Sequence, residues 1–234
     1  MDVATAMKTL ESKGKPATAK TYARHGVREP CFGVSYADFG VLVKKIGVDH
    51  ELALGLWKSG NHDARVVATM IADPARMTRR EIETWIGDST NYVIAEAVAR
   101  VAARMDGAPE LARAWMDSKT DGVSAAGWVL LGMIAGKGGS TGMDARVLLK
   151  RIRDTIKQSP NRTRHSMNNA LIAIGGYRAE LRDEALAVAK AIGKVEVDHG
   201  DTDCKTPDAT AYIQKMVAYA KAKTAKAKTA RSAR

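Results

Sequence analysis

The sequence predicts an all-α protein assembled as a stacked array of short helices, and three observations carry that prediction. Apolar residues recur at three- and four-residue spacing from one end of the chain to the other. Alanine recurs throughout while aromatics are only 5% of residues, a mixture that suits close-packed helices better than a β-sandwich. The stretches between periodic segments are short turns, and no alternating run is long enough for a sheet. Val195 and Val197 give the only hint of a strand.

The elements follow in order. Tyr36, Phe39, Leu42, Val43 and Ile46 share one helical stripe, and Gly47 is placed to end it. Asp49 is placed to cap a second helix, which runs through Trp57 and stops at Gly60. His62 to Ala72 forms a third, buried through Val66, Val67, Met70 and Ile71, and Pro74 closes it. Further helices read at about 77–86, 89–105, 108–117, 123–135, 143–157, 161–175, 178–192 and 207–222. Short links make successive helices antiparallel neighbours. Paired helices too small to bury their own faces imply a stacked solenoid resembling HEAT or armadillo units. No sequence repeat is legible, so a compact bundle stays open as an alternative. One helical-repeat domain is expected over residues 1–222. From Thr224 the Lys/Ala/Thr composition resembles linker-histone tails and has nothing to bury, so residues 223–234 are expected to be a disordered basic tail.

The 234 residues suffice for a sizeable core, and 45% hydrophobic with 27% charged is ordinary globular composition. No run of about 18 apolar residues exists to span a membrane, and Met1 to Lys15 lacks the apolar centre of a signal peptide. Cys31 and Cys204 lie far apart and suggest no disulfide framework. Two buried free thiols in a reducing cytoplasm are expected. Charge is the first functional clue. The net charge is +11, from 37 Lys+Arg against 26 Asp+Glu. Six positives (Lys221, Lys223, Lys226, Lys228, Arg231, Arg234) fall in the last fourteen residues, and removing them leaves 11 − 6 = +5. A basic body with a basic tail favours a polyanion, nucleic acid foremost, over a merely soluble basic protein.

Two tempting motifs fail. Gly136-Lys137-Gly138-Gly139-Ser140-Thr141 resembles a phosphate loop, but Leu131 and Gly138 stand where that pattern needs Gly and Ser/Thr. It reads as a turn between helices. Asp198-His199-Gly200-Asp201-Thr202-Asp203-Cys204 crowds metal-ligand types without EF-hand or zinc spacing, and reads as a turn rich in Asx interactions. No metal is expected. The stretch Arg146 to Arg164 is more informative. Arg146, Lys150, Arg153 and Lys157 make one straight helical stripe, with Leu148, Leu149, Ile152 and Ile156 buried beside it. Arg162 and Arg164 open the next helix. The stripe is either a set of phosphate contacts or a solvated face. In 88–105, Tyr92 and Glu96 lie four apart, opposite the apolar face of Val93, Ile94, Val98 and Val101. An aromatic and a carboxylate off the core can contact a ligand or be an ordinary exposed face.

Several stretches also resemble a known family. These are Phe32-Gly33-Val34, Lys44-Lys45-Ile46-Gly47, Glu51-Leu52-Ala53, Leu56 to Gly60, His62-Asp63-Ala64-Arg65 with Asp73-Pro74, and Trp85, Asp88 and Asn91 to Glu96. Together they resemble the AlkD-like DNA alkylation repair proteins over roughly residues 30–190. Residues 195–213 are similar to an extension found in one branch of that family. The resemblance implies a HEAT-like solenoid whose basic concave face cradles duplex DNA, damaged or branched, acting as a monomer in the cytoplasm at the nucleoid. Active members release cationic N3- and N7-alkylpurines without flipping the base into a pocket and without metal or organic cofactor, by stabilising positive charge that grows on the sugar. Carried onto this chain, the catalytic positions fall at Glu96 and Tyr92, where active members have Asp and Trp. A DNA-contacting Arg falls at Ser124 or Ala125 with Trp128 one turn on, and a second Trp falls near Ala173. Arg146, Lys150, Arg153, Lys157, Arg162, Arg164 and Trp128 are the expected DNA contacts. The resemblance thus leaves a glycosylase and a lesion- or structure-selective DNA binder both open, with a protein-interaction scaffold as the alternative from another class.

Overall fold

The computed structural model describes residues 1–136 and 142–232, with side chains described as far as Lys223. The predicted turn at 137–141 lies outside the described residues. Two N-terminal helices, α1 (Val3–Lys13) and α2 (Pro16–Arg24), precede those expected from the sequence. Then come α3 (Tyr36–Ile46), α4 (His50–Lys58), α5 (His62–Ile71), α6 (Arg79–Gly87), α7 (Tyr92–Ala102), α8 (Ala108–Met116) and α9 (Asp121–Gly136). The remainder is α10 (Ala145–Thr155), α11 (Asn161–Tyr177), α12 (Arg182–Ile192) and α13 (Ala209–Ser232), with short 3-10 turns before α11 and α12. No strand occurs among the described residues, so Val195 and Val197 lie in an irregular segment.

Local chemistry sets these boundaries. Ser35, Asp49, Asn61, Thr78, Asn91 and Asp144 each accept a backbone N–H of the helix they precede, and Thr78 with Glu81 completes a capping box. Gly47 leaves α3 at φ 75°, a conformation that side chains resist. Sequence and structure part at the C-terminus. The segment expected to be disordered from residue 223 continues α13 to Ser232. Lysine and alanine are strong helix formers, and a helix already anchored by Ala209 and Ile213 in the core needs no new nucleus to continue. Cys204 is exposed on the irregular segment, contrary to the expected burial, while Cys31 is half-buried.

Helices α3, α5, α7, α9, α11 and α13 pack each against the next in one layer. Behind it α4, α6, α8 and α12 cover α5, α7, α9 and α11, and α10 lies on α11 and α12. This two-layer stacking is the predicted solenoid. Helix α9 is its centre and is apolar nearly all round, as a helix packed on several sides must be. Gly127 lets α9 approach α8 closely, since a Cβ there would sit 2.4 Å from the Met116 nitrogen. Between α4 and α6, Trp57 and Trp85 stack with centroids 4.3 Å apart, and Asp88 accepts from the Trp57 indole at 3.0 Å. One buried carboxylate fixes the loop ahead of α3. Asp63, fully buried at the start of α5, accepts the backbone N–H groups of Phe32, Gly33 and Val34 at 2.6, 3.2 and 2.7 Å.

Candidate nucleic-acid interface

Helix α7 supplies the first part of the site. Asn91 caps it, and Tyr92, Glu96 and Arg100 then recur every four residues on the side away from the core. Asn91 is itself held by Glu29, which accepts from its amide at 2.7 Å and from the Thr90 hydroxyl at 2.7 Å. The aromatic and carboxylate are therefore set on a braced helix end.

The second part comes from α11. Pro160 precedes that helix and offers no side-chain cap. Asp121 of α9 substitutes, accepting from the N–H groups of Arg162 at 3.0 Å and Thr163 at 2.7 Å, and from the Thr163 hydroxyl at 2.8 Å. This capping between helices fixes where Arg162 starts. Its guanidinium lies 3.8 Å from the centroid of the Tyr92 ring and 3.9 Å from the Glu96 carboxylate. The third part is His25, just past α2, whose Nδ1 shares a 2.6 Å hydrogen bond with the Tyr92 hydroxyl.

The electrostatics follow from this crowding. Burial pushes the Glu96 carboxyl above its ordinary range, against the pull of Arg162 and Arg100. Burial likewise raises the Tyr92 and Tyr36 phenols, each opposed by an arginine. Three hollows converge on Tyr92. A cavity of about 420 Å³ runs behind it between α7, α9 and α11, past Ala125 and Val129. A hollow of about 600 Å³ opens along α7 towards Tyr36, Met70, Arg100 and Arg104. A third, of about 460 Å³, lies between the end of α2 (Lys20, Arg24) and residues 198–201. That last segment is tied down by Asn161, which exchanges two hydrogen bonds with the Asp198 backbone at 2.7 and 2.8 Å. Arg164 donates to the Glu196 carbonyl at 3.0 Å, and the His165 and His199 rings meet edge to face. The Asx turn expected there is present, with the Gly200 N–H on the Asp198 carboxylate.

A sequence model of the family described as DNA alkylation repair enzyme matches residues 6–213. The chain belongs to that family. It is 31% identical over 212 residues to the uncharacterised proteins Lin0241 of Listeria innocua and Lmo0209 of Listeria monocytogenes, covering 88% of this chain and 93% of each of them. A solved structure described as a new family of proteins related to the HEAT-like repeat DNA glycosylases, with affinity for branched DNA structures, superposes with TM-score 0.85. It is 32% identical to this chain, and the match covers 94% of this chain and 95% of that one.

Within this DNA alkylation repair family member, the site residues expected from sequence fall in different places. Tyr92, Glu96 and Arg162 come together. Arg146, Lys150 and Arg153 lie on α10, in the rear layer, and Lys157 on the 3-10 turn that follows it. Arg146 pairs with Glu184 at 2.9 Å, and Asp154 takes both Lys150 at 2.7 Å and Arg153 at 2.8 Å. Those two partners hold the Asp154 carboxyl down at about 2. Arg164 is spent on backbone carbonyls of Ser159 and Glu196. Trp128 is only 1% exposed, so it belongs to the core of α9 and not to the surface where a DNA contact was expected. Ser124 donates to the Met116 carbonyl and faces α8, so of the two expected positions it is Ala125 that lines the cavity. The sequence reading missed His25, Tyr36, Arg100 and Asp121. Arg100 continues the four-residue spacing of Tyr92 and Glu96 and was legible from that spacing alone. The other three arrive by tertiary packing, which no local pattern encodes.

Proposed function

We propose that this protein binds branched or distorted DNA and does not excise alkylated bases. The observation that carries this reading is the position of Arg162. Excision needs an ionised carboxylate facing the sugar, so that growing positive charge meets negative. Here a guanidinium already stands 3.9 Å from Glu96 and covers the face of Tyr92. A cation in that place opposes a developing oxocarbenium ion, and burial further disfavours the ionised form of Glu96.

The same surface suits a polyanion. Lys20 and Arg24 on one side of Tyr92, and Arg100 and Arg104 on the other, are exposed and form no ion pair among the described residues. They are free to meet phosphates on strands that diverge from Tyr92. The related solved structure, with its affinity for branched DNA structures, supports extending that preference to this chain. A gel-shift series with a four-way junction and a linear duplex of equal length, over increasing salt, tests the proposal. The junction should bind about tenfold more tightly at every salt concentration. Equal affinity for the two would overturn it.

A further inference from the structure

The cavity behind Tyr92 is unexplained by phosphate binding, because its polar and apolar walls do not suit an anion. We propose that it receives one unpaired nucleobase, released from the stack where DNA branches or bulges. The inference rests on the DNA-binding reading above and names the ligand of its central cavity. The size is apt. About 420 Å³ lies within the range of cavities that enclose small organic ligands and is too narrow for a duplex. The walls are also apt. Ala95, Ala125, Ala126 and Val129 present short apolar side chains that a planar ring can lie against. At Gly122 a Cβ would meet nothing within 4 Å, so the space on that side is open.

The polar groups at the rim define the ligand's edge. The Arg162 Nε–H is buried and has no acceptor among the described residues. A buried donor left unpaired is unfavourable, and a ligand acceptor would relieve it. Glu96 lines the same cavity and accepts or donates according to its protonation. Donor and acceptor side by side match the Watson–Crick edge that an unpaired base exposes, where both kinds of group stand in neighbouring positions. An isolated phosphate offers acceptors only and would sit against Glu96. Tyr92 lines the same cavity, and the ring face that Arg162 leaves uncovered can stack on a base.

The test uses a duplex carrying one unpaired 2-aminopurine as a single-base bulge, and a linear duplex with the same probe paired. Wild-type protein should shift the fluorescence of the bulged probe and leave that of the paired probe unaltered. Gly122→Phe and Ala125→Leu fill the cavity from α9. They should abolish the fluorescence response and lower bulge affinity about tenfold while leaving linear-duplex affinity unchanged. Gly122→Phe enters open space, and a thermal melt equal to wild type certifies its fold. A folded variant that binds the bulge as wild type does, with the response intact, overturns the proposal. So does a wild-type complex with the bulge in which the probe is silent. If the wild type prefers the four-way junction but the probe is silent, only the cavity assignment falls. If it prefers neither junction nor bulge to linear duplex, the DNA reading falls with it.

Discussion

Two basic regions of this molecule, the groove at Tyr92 and the back of α10, teach opposite things about charge. In the sequence α10 is the more conspicuous, with Arg146, Lys150 and Arg153 at helical spacing. In the fold each of those three meets a carboxylate, and the helix belongs to the rear layer. The groove has fewer cations in any one stretch of chain. It gathers them from three helices and their ends, with Lys20 and Arg24 on α2, Arg100 on α7 and Arg104 just past it, and Arg162 on α11. Neutralised charges release few counterions from DNA, whereas free ones release many. If the groove is the DNA face, as proposed, local charge density along the chain is a poor guide to where a polyanion binds.

Charge reversal breaks or upholds this contrast, and it should give the largest effect. Arg100→Glu with Arg104→Glu should weaken junction binding about a hundredfold at low salt and flatten the slope of log K against log salt by roughly 2. Lys150→Glu with Arg153→Glu should change affinity by less than about threefold. Fluorescence anisotropy over a salt series measures both, and a reversed ranking would restore α10 as the DNA face.

Chemistry at the groove gives the second contrast. Single-turnover release of N7-methylguanine by wild type should match protein-free depurination, and Glu96→Gln should release it at the same rate. Release well above background by wild type, lost in Glu96→Gln, would make Glu96 an electrostatic catalyst in spite of Arg162.

Most of the fold was legible and only part of the site, for one physical reason. Helices α3 to α12 are encoded locally by caps and apolar spacing, as at Asp49, Asn91 and Gly47, and their expected bounds fall near the observed ones. The widest misses are α7, expected at 89–105 and found at Tyr92–Ala102, and the start of α12, expected at 178 and found at Arg182. Tyr92 and Glu96 share one helix face and were found the same way. The signals for α1 and α2 were equally local, Asp2 capping Thr5 and Pro16 opening a helix, but their weak apolar stripes hid them. With α2 went His25. The Arg162–Tyr92 stack was not legible, since it depends on Asp121 capping a helix 40 residues later in the chain. Trp128 was misplaced because a helix that is apolar all round has no face that spacing alone can assign to solvent.

The closing segment offers a third, smaller test. Burial, Arg162 and His199 hold the His165 imidazole down at about 4, against an ordinary 6.5. Unfolded chains take up that proton as pH falls through 6.5, and the folded chain does not until about 4. Stability is therefore full above that window and declines within it as pH falls, by on the order of 1–2 kcal/mol once partial solvent screening is allowed for. Urea midpoints for wild type should drop between pH 6.5 and 4, and His165→Gln should remove that part of the decline. Identical pH profiles would mean that His165 is protonated in the folded groove.

Glu96 should show the smallest effect, of opposite sign. Its carboxyl is raised above the ordinary 4.5, with burial outweighing the attraction of Arg162 and Arg100. Between the unfolded and folded values the native state binds the extra proton, so stability falls as pH rises through that window and stays lowered above it. Glu96→Gln removes the buried charge and keeps the side-chain shape. At pH 7 it should raise Tm by roughly 1–3 °C, and the gain should fade as pH drops below 4.5, where wild-type Glu96 is itself neutral. The groove would then resemble many binding sites in holding a group that weakens the fold. A lower Tm for Glu96→Gln at pH 7 would show the reverse, that the ion pair with Arg162 outweighs desolvation and Glu96 is there to brace the arginine.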